Sequence, residues 1–405
     1  MNQIFSNIFN WVNHRLPIVN TFERHLSKHP VPKKVNFWYL FGALASVTLI
    51  IQIVSGIWLI MPYENTEEGA FASVEYIMRD VDYGWVIRYM HTTGASLFFA
   101  VVYLHMFRGL LYGSYQKPRE LVWIFGCTIY LAMMAEGFLG YVLPYGQMSY
   151  WGAQVIISLF GAIPYVGESL ELWVRGDYYI SGITVSRFFA LHVVALPLVL
   201  IALVFLHLVA LHEVGAGNPE GVDIEEHLDE DGIPLDSVPF FPYKVLNALV
   251  GIGVFMTVFA IIMFFFPEGG GYFIEMANFE EANPLVTPEH IAPVWYYAPY
   301  YTMLRAVPDP LGGLIVMGSA VAIFFVVPWL DRSNVASIRY KGIYSKIALG
   351  LFAISFITLG YLGTVGVTEI RKTVSLICTV LYFAFFLLMP IYTKLETTKE
   401  VPNRL

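Results

Sequence analysis

The sequence predicts an all-α, polytopic membrane protein with eight transmembrane helices. Of the 405 residues, 57% are hydrophobic and 13% are charged, and the mean hydropathy of +0.62 is far above that of a soluble globular protein. The apolar residues are concentrated in runs close to the length that a helix needs to cross a bilayer. These eight runs are residues 38–61, 85–111, 120–143, 186–212, 243–266, 311–330, 345–364 and 372–393.

Residues 1–37 precede the first run and are interpreted as a surface segment. Ile4, Ile8 and Trp11 follow a helical period, which predicts a helix on the membrane surface before Pro30. The segment lacks the apolar core and cleavage site of a signal peptide, so we expect it to be retained. Eight spans place both termini on one side, and most of the 23 Lys and Arg residues flank that side. The positive-inside bias therefore predicts cytoplasmic termini.

Two loops on the opposite, outer side are too long to be simple connections. Residues 144–185 contain apolar runs too short to span, which favours surface or re-entrant helices. Residues 267–310 crowd aromatic residues and prolines together, and they either wall a site or form an interfacial aromatic belt. The acidic connection after the fourth run is the predicted boundary. It divides a four-helix part, 38–241, from a C-terminal four-helix part, 242–405.

The second run carries two histidines, His91 and His105, at membrane depth, where ionisable residues are costly and usually functional. Their fourteen-residue spacing leaves the two imidazoles within roughly 40° of one helix face and roughly 21 Å apart along the axis. Arg88 and Arg108 lie three residues outside the pair, where they could meet the carboxylates of a bound group. The alternative is a pair of satisfied core histidines.

The fourth run repeats this arrangement with His192 and His207. The spacing here is fifteen, which carries the second imidazole about 60° past the first, and Pro197 lies between them to adjust the helix. Because the second and fourth runs both lead inward, the four histidines form two pairs at two depths. A haem held by two imidazoles has no open position, which suits electron transfer. There is no CxxCH sequence, so covalently attached haem is excluded. The only two cysteines, Cys127 and Cys378, lie in apolar runs, so a disulfide framework or a cysteine metal cluster is not expected.

Glycines in the first and third runs echo the histidine spacing. Gly42 and Gly56 are fourteen residues apart, as are Gly126 and Gly140. A cofactor ring between helices needs close approach, which glycine permits, although glycine is also common at plain helix contacts. The histidines and glycines together predict an N-terminal four-helix bundle that holds two stacked b-type haems.

Five stretches of the sequence are distinctive: GYVLPYGQMSYWGAQVI, RYMHTTGAS, HMFRGLLYGSY, SRFFALH and PVWY. Together they closely resemble the motifs of cytochrome b of the ubiquinol:cytochrome c oxidoreductase, of the bacterial respiratory type, and the resemblance covers essentially the whole chain. It implies a Q cycle, in which quinol is oxidised at an outer site and quinone is reduced at an inner site. It also implies a Rieske iron–sulfur protein and a membrane-anchored c-type cytochrome as partners, and a homodimeric complex. The short connections and the lack of a targeting segment predict the bacterial inner membrane as the location.

The resemblance assigns roles to individual residues. His91 and His192 match the ligands of the outer, low-potential haem, and His105 and His207 match those of the inner, high-potential haem. Arg88 and Arg108 match propionate partners, and His212 matches a quinone contact at the inner site. The positions that match the outer quinol site are Phe138, Tyr141, Gly152, Pro293, Tyr296 and Tyr301.

This chain departs from the usual family pattern at both quinone sites. Val294 stands where PEWY has a glutamate, so the usual outer carboxylate is missing, and we expect Glu136 to replace it as proton acceptor. The alternative is a structural or water-lining carboxylate. Asn247 and Ala248 replace a Lys-Asp pair at the inner site. Lys244, one turn earlier, either serves the same pocket or is a snorkelling interfacial lysine.

Two other classes of protein would also place histidines within a membrane. A dihaem membrane anchor of a dehydrogenase uses bis-histidine sites but normally has four or five helices. A proton-coupled transporter would use the histidines as a proton relay. Nothing in the charge pattern favours nucleic-acid binding.

Overall fold

The computed structural model describes residues 2–23 and 27–405; residue 1 and residues 24–26 of the predicted surface segment lie outside the described residues. Eight described helices are long and apolar enough to cross a membrane, which confirms the predicted fold class. In chain order, these membrane helices are Phe37–Ile60, Gly84–Tyr112, Glu120–Val142, Gly182–Val214, Phe240–Phe265, Pro310–Leu330, Ile343–Gly363 and Glu369–Leu387.

The largest departure from the predicted boundaries is at the end of the eighth membrane helix. The predicted run continues to residue 393, whereas the helix ends at Leu387 and a short helix, Met389–Leu395, follows. Pro390 occupies the first turn of that short helix. Because proline has no N–H to donate, it interrupts the hydrogen-bond ladder of the longer apolar run at this point.

The first membrane helix packs along the second, and the third packs along the fourth. The fifth also packs against the first and second, so the two predicted parts are in close contact. The principal hydrophobic core draws on both parts, from Phe99 and Tyr130 to Tyr382 and Phe386. Tyr130 donates a hydrogen bond to the hydroxyl of Tyr300 at 3.0 Å across this boundary. The division at residue 241 stays a prediction.

The fourth membrane helix contains one wide turn, Leu191–Ala195, between the α-helical segments Gly182–Ala190 and Leu196–Val214. Pro197 follows this turn and cannot donate a bond to the carbonyl four residues before it. An i→i+5 turn takes up one residue more than an α-turn. The turn therefore absorbs the extra residue in the spacing from His192 to His207, and the adjustment lies just before Pro197.

A two-stranded sheet is a small exception to the all-α prediction. Strands Pro30–Pro32 and Ser237–Pro239 pair antiparallel, with Val31 opposite Val238. Prolines near both strands oppose helix formation and favour extended backbone. The nearby ion pair between Lys33 and Asp236 has an N···O distance of 2.5 Å, and hydrogen bonds from Arg404 and Lys33 hold the pKa of Asp236 below its usual range. The surface segment is thus attached to the start of the fifth membrane helix.

The remaining helices lie in the surface segment and the loops. The predicted N-terminal helix is present as Asn2–Arg15, and the short helices predicted in the first outer loop are present as Gln147–Ser158 and Gly167–Arg175. The helix Gly69–Arg79 is an addition that the sequence interpretation did not contain. The other short helices are Ile18–Phe22, Leu159–Ala162, Ile224–Glu226, Gly269–Gly271, Met276–Phe279 and Ala298–Ala306. A second hydrophobic cluster around Ile157 and Ile180 packs the outer elements together.

Candidate functional site

The four membrane histidines form two facing pairs, one between the outer ends of the second and fourth membrane helices and one farther in. We keep the terms outer and inner from the predicted orientation. The ring centroids of His91 and His192 are 6.2 Å apart, with an interplanar angle of 84°. Those of His105 and His207 are 6.4 Å apart at 69°. A ligating imidazole nitrogen lies about 2 Å from its metal and about 1 Å in front of the ring centroid, so two opposed ligands have centroids about 6 Å apart.

At the inner pair, one glycine lies against each imidazole. A Cβ atom at Gly42 would lie 3.2 Å from Cε1 of His105. A Cβ at Gly126 would lie 3.4 Å from Cε1 of His207, which is ordinary van der Waals contact. These glycines make room for the imidazole rings themselves.

The outer pair is tighter. A Cβ atom at Gly56 would lie 3.3 Å from Cε1 of His91. At Gly140 it would overlap the ring of His192, lying only 2.9 Å from both ring nitrogens. The side chain of His192 therefore occupies its position only because residue 140 has none.

Both outer imidazoles have polar partners at Nδ1. Ser55 Oγ lies 2.9 Å from Nδ1 of His91. Since the Ser55 hydroxyl donates to the carbonyl of Ile51 at 2.6 Å, it accepts from His91. His192 Nδ1 faces two oxygens of Glu136, the backbone carbonyl at 3.0 Å and carboxylate Oε1 at 3.1 Å. Such partners leave Nε2 of each ring to ligate a metal.

The inner imidazoles differ in this respect. Nδ1 of His105 and Nδ1 of His207 are buried and have no hydrogen-bond partner of good geometry among the described residues. The backbone of Val122 faces His207. Arg108 donates to Ser114 Oγ at 3.1 Å and lies over the ring of Tyr39, while its Nε is buried and unpaired among the described residues.

A cavity of about 310 Å³ surrounds the outer histidine pair. Arg88 and Glu136 line it, and Tyr141 and Tyr296 close its side toward the second outer loop. Tyr296 is stacked on Phe99 with centroids 3.9 Å apart. Tyr63 also lines the cavity, which therefore combines an apolar wall with a cation, a carboxylate and three phenols.

A second, smaller cavity of about 40 Å³ lies between the third membrane helix and the two outer loops. Five of the six residues predicted for the outer quinol site line it, and the sixth, Tyr296, lines the first cavity. The five are Phe138, Tyr141, Gly152, Pro293 and Tyr301. Tyr141 lines both cavities and so separates the two spaces.

Comparison with known proteins identifies the family. Residues 26–215 match the family model described as cytochrome b/b6/petB, and residues 281–383 match the one described as cytochrome b (C-terminal)/b6/petD. A cytochrome b of Allochromatium vinosum is 56% identical over 97% of this chain and 97% of its own length. The chain belongs to the cytochrome b family.

Two further similarities agree with this cytochrome b assignment. A protein named cytochrome b/c1 from Bradyrhizobium diazoefficiens is 44% identical over 97% of this chain and 56% of its own length. A solved structure described as hyperthermophilic respiratory complex III superposes with a TM-score of 0.89 and 37% identity, covering 96% of this chain and 99% of that chain. This cytochrome b is a haem-binding membrane subunit of a respiratory bc complex.

At the inner site, the N-terminal surface segment contacts both predicted residues. The ring of His212 packs on the ring of His29, with centroids 4.5 Å apart. Lys244 Nζ donates to the backbone carbonyl of Lys33 at 3.2 Å. His29 was not predicted because it is one of several polar residues in an irregular segment, and its partner His212 is distant in the sequence.

A carboxylate beside Tyr141, one of the predicted outer-site residues, was also missed. Glu275, in the second outer loop, accepts a hydrogen bond from the hydroxyl of Tyr141. Burial raises the pKa of Glu275 to about 7, although the hydrogen bond from Tyr141 lowers it. Nothing in the local sequence distinguishes Glu275 from Glu280 or Glu281, because its partner is 134 residues away.

Proposed function

We propose that this cytochrome b binds two b-type haems, one between His91 and His192 and one between His105 and His207. The observation that carries the proposal is the separation of each imidazole pair, which suits one metal ion between two opposed rings. A haem held in this way supplies one-electron transfer and has no open position for substrate. The two sites, at two depths of one bundle, therefore suit electron transfer across the membrane.

The residues around both pairs fit such a group. Arg88 lines the outer cavity, and the unpaired Nε of buried Arg108 lies near the inner pair. A guanidinium group is well suited to bind the carboxylates of a cofactor. Gly42, Gly56 and Gly140 leave no side chain between the imidazoles and the neighbouring helices. The predicted role of the arginines is retained in the proposal. The glycines differ from the prediction, because their missing side chains make room for the imidazoles, and Gly126 is the least restrictive of the four.

The second cavity is the proposed site of quinol oxidation. Pro293 and Tyr301 of the second outer loop and Tyr141 of the third membrane helix would orient the quinol there, and Tyr296 would contact it from the side of the first cavity. One electron would pass to a Rieske iron–sulfur protein and then to a c-type cytochrome. The other would cross the two haem sites to quinone at the inner site, beside His212 and Lys244. Proton release outside and uptake inside would couple this reaction to proton translocation.

The comparisons support these partners at a coarser level. The Bradyrhizobium relative is named cytochrome b/c1, which agrees with a c-type partner, and the solved relative is described as a respiratory complex III. We propose a homodimeric complex in a bacterial inner membrane, with both termini of this subunit in the cytoplasm. The family assignment favours this function over a dehydrogenase anchor or a transporter.

Redox titration of the intact complex in native membranes tests the proposal. We expect two b-haem midpoint potentials in the reduced-minus-oxidised spectrum, and inhibition of haem reduction by ligands of the quinol site. His207→Leu should remove the component of one haem, and His192→Leu the other, because each substitution removes one of the two histidines that would hold that haem. His227→Ala, in the exposed acidic loop, is the matched control. A wild-type spectrum with only one b-haem component would contradict the proposal.

A further inference from the structure

Tyr141 lines both outer cavities and is hydrogen-bonded to a carboxylate in the second outer loop. Its hydroxyl donates to Oε2 of Glu275. Two other phenols that line the second cavity donate to backbone carbonyls, Tyr297 to Met134 at 2.7 Å and Tyr301 to Ile291 at 3.2 Å. Among the described residues that line the second cavity, Tyr141 is therefore the phenol that is bonded to a carboxylate.

The surroundings of Glu275 suit a group that gains and loses a proton. The titratable groups that face it are Tyr141, from the third membrane helix, and Tyr296, from the second outer loop. Arg88, from the second membrane helix, faces Tyr141. Burial raises the pKa of Glu275 to about 7, so the carboxyl changes protonation state near neutral pH. Glu275 is partly exposed in the outer loop, so it also has a path to water.

We propose that Glu275 receives, through Tyr141, a proton from the quinol that is oxidised in the second cavity. The quinol O–H bond breaks and a bond forms to Oη of Tyr141, while the proton that Tyr141 held moves to Oε2 of Glu275. The electrons leave the quinol for the outer haem site and the iron–sulfur partner. The proton then leaves Glu275 for the outer aqueous phase. This inference rests on the proposed function.

Glu136 is the acceptor expected from the sequence, and its geometry is different. It lines the first cavity, and its Oε1 lies 3.1 Å from Nδ1 of His192. Its other carboxylate oxygen is buried and unpaired among the described residues. Glu136 therefore faces a histidine of the outer pair, whereas Glu275 faces the phenol between the two cavities.

The pH dependence of quinol-driven haem reduction in the intact complex tests Glu275. In the wild type, the rate should rise with pH through about 7, because the acceptor must be deprotonated. Glu275→Gln should lower the rate at least about tenfold and remove this dependence. Tyr141→Phe should have a similar effect. The double variant should be no worse than either single variant, because both residues act on one proton path.

Glu280→Gln is the matched control, since Glu280 is an exposed carboxylate of the same loop. It should retain the wild-type rate and pH profile. The b-haem spectrum of each variant reports whether the subunit is intact, and Glu275→Asp should restore part of the rate. A wild-type profile in an intact Glu275→Gln complex would overturn the inference, and loss of the profile in Glu136→Gln alone would assign the proton to Glu136. Absence of quinol-driven haem reduction in the wild type would contradict the proposed function instead.

Discussion

The outer and inner histidine pairs are built in the same way but differ in the residues that surround them. Both pairs join the second and fourth membrane helices, and a glycine lies against each ring. The outer rings have a hydroxyl and a carboxylate at Nδ1, whereas the inner rings have no partner of good geometry among the described residues. In the proposed function, the helices thus set where each haem would bind, and the residues behind the proposed ligands set how each site would behave.

The direction of this difference agrees with the proposed electron flow from the outer to the inner site. A carboxylate that accepts a hydrogen bond from an axial imidazole raises the basicity of that ligand and stabilises the oxidised metal. The outer site should therefore have the lower potential of the two. The resemblance to cytochrome b implies the same order.

The two glycines of the third membrane helix should differ most in their tolerance of substitution. Gly140→Ala should abolish or strongly reduce binding of the outer haem, because the added Cβ overlaps His192. Gly126→Ala should retain the inner haem, because its Cβ would lie 3.4 Å from Cε1 of His207. Haem content and the two spectral components of purified complexes provide the measurement. If the two variants lost equal amounts of haem, the outer and inner histidine pairs would be packed equally tightly, contrary to this prediction.

Glu136→Gln should raise the midpoint potential of the outer haem and leave the inner one unchanged. The amide keeps the shape of the side chain but removes the charge that faces His192. We expect a change of about tenfold in the electron-transfer equilibrium between the two haems, or about 59 mV for one electron. Ser55→Ala should have a smaller effect, since Ser55 is a neutral acceptor. If Glu136→Gln left the midpoint potential of the outer haem unchanged, Glu136 would not be the cause of the expected difference between the two haem potentials.

Much of the bundle could be predicted from sequence because its signals are local. Apolar runs predict the spans, and histidines at membrane depth are conspicuous because burying them is costly. The wide turn at Leu191–Ala195 is indicated in the sequence only indirectly, by the fifteen-residue spacing of His192 and His207 and by Pro197.

Contacts between segments that are distant in the sequence could not be predicted from the sequence. Tyr141 donates a hydrogen bond to Glu275, and the ring of His29 packs on that of His212. No local sequence pattern predicts either contact. The function of such residues depends on a partner that only the fold supplies. The residues of the proposed quinone sites were accordingly the least predictable part of the protein.

The smallest expected effect concerns the inner site and the surface segment that contacts it. His29→Ala removes the ring that packs on His212, a contact of about 0.5–1.5 kcal/mol for an aromatic pair. The rate at which quinone reoxidises the inner haem, measured with the outer site inhibited, should therefore fall by about two- to tenfold. Quinol-driven reduction of the outer haem should not change. His14→Ala, in the exposed helix Asn2–Arg15, is the control. If both variants behaved as the wild type, the surface segment would cover the inner site without contributing to quinone reduction. The outer and inner sites would then differ only in the residues around their histidine pairs.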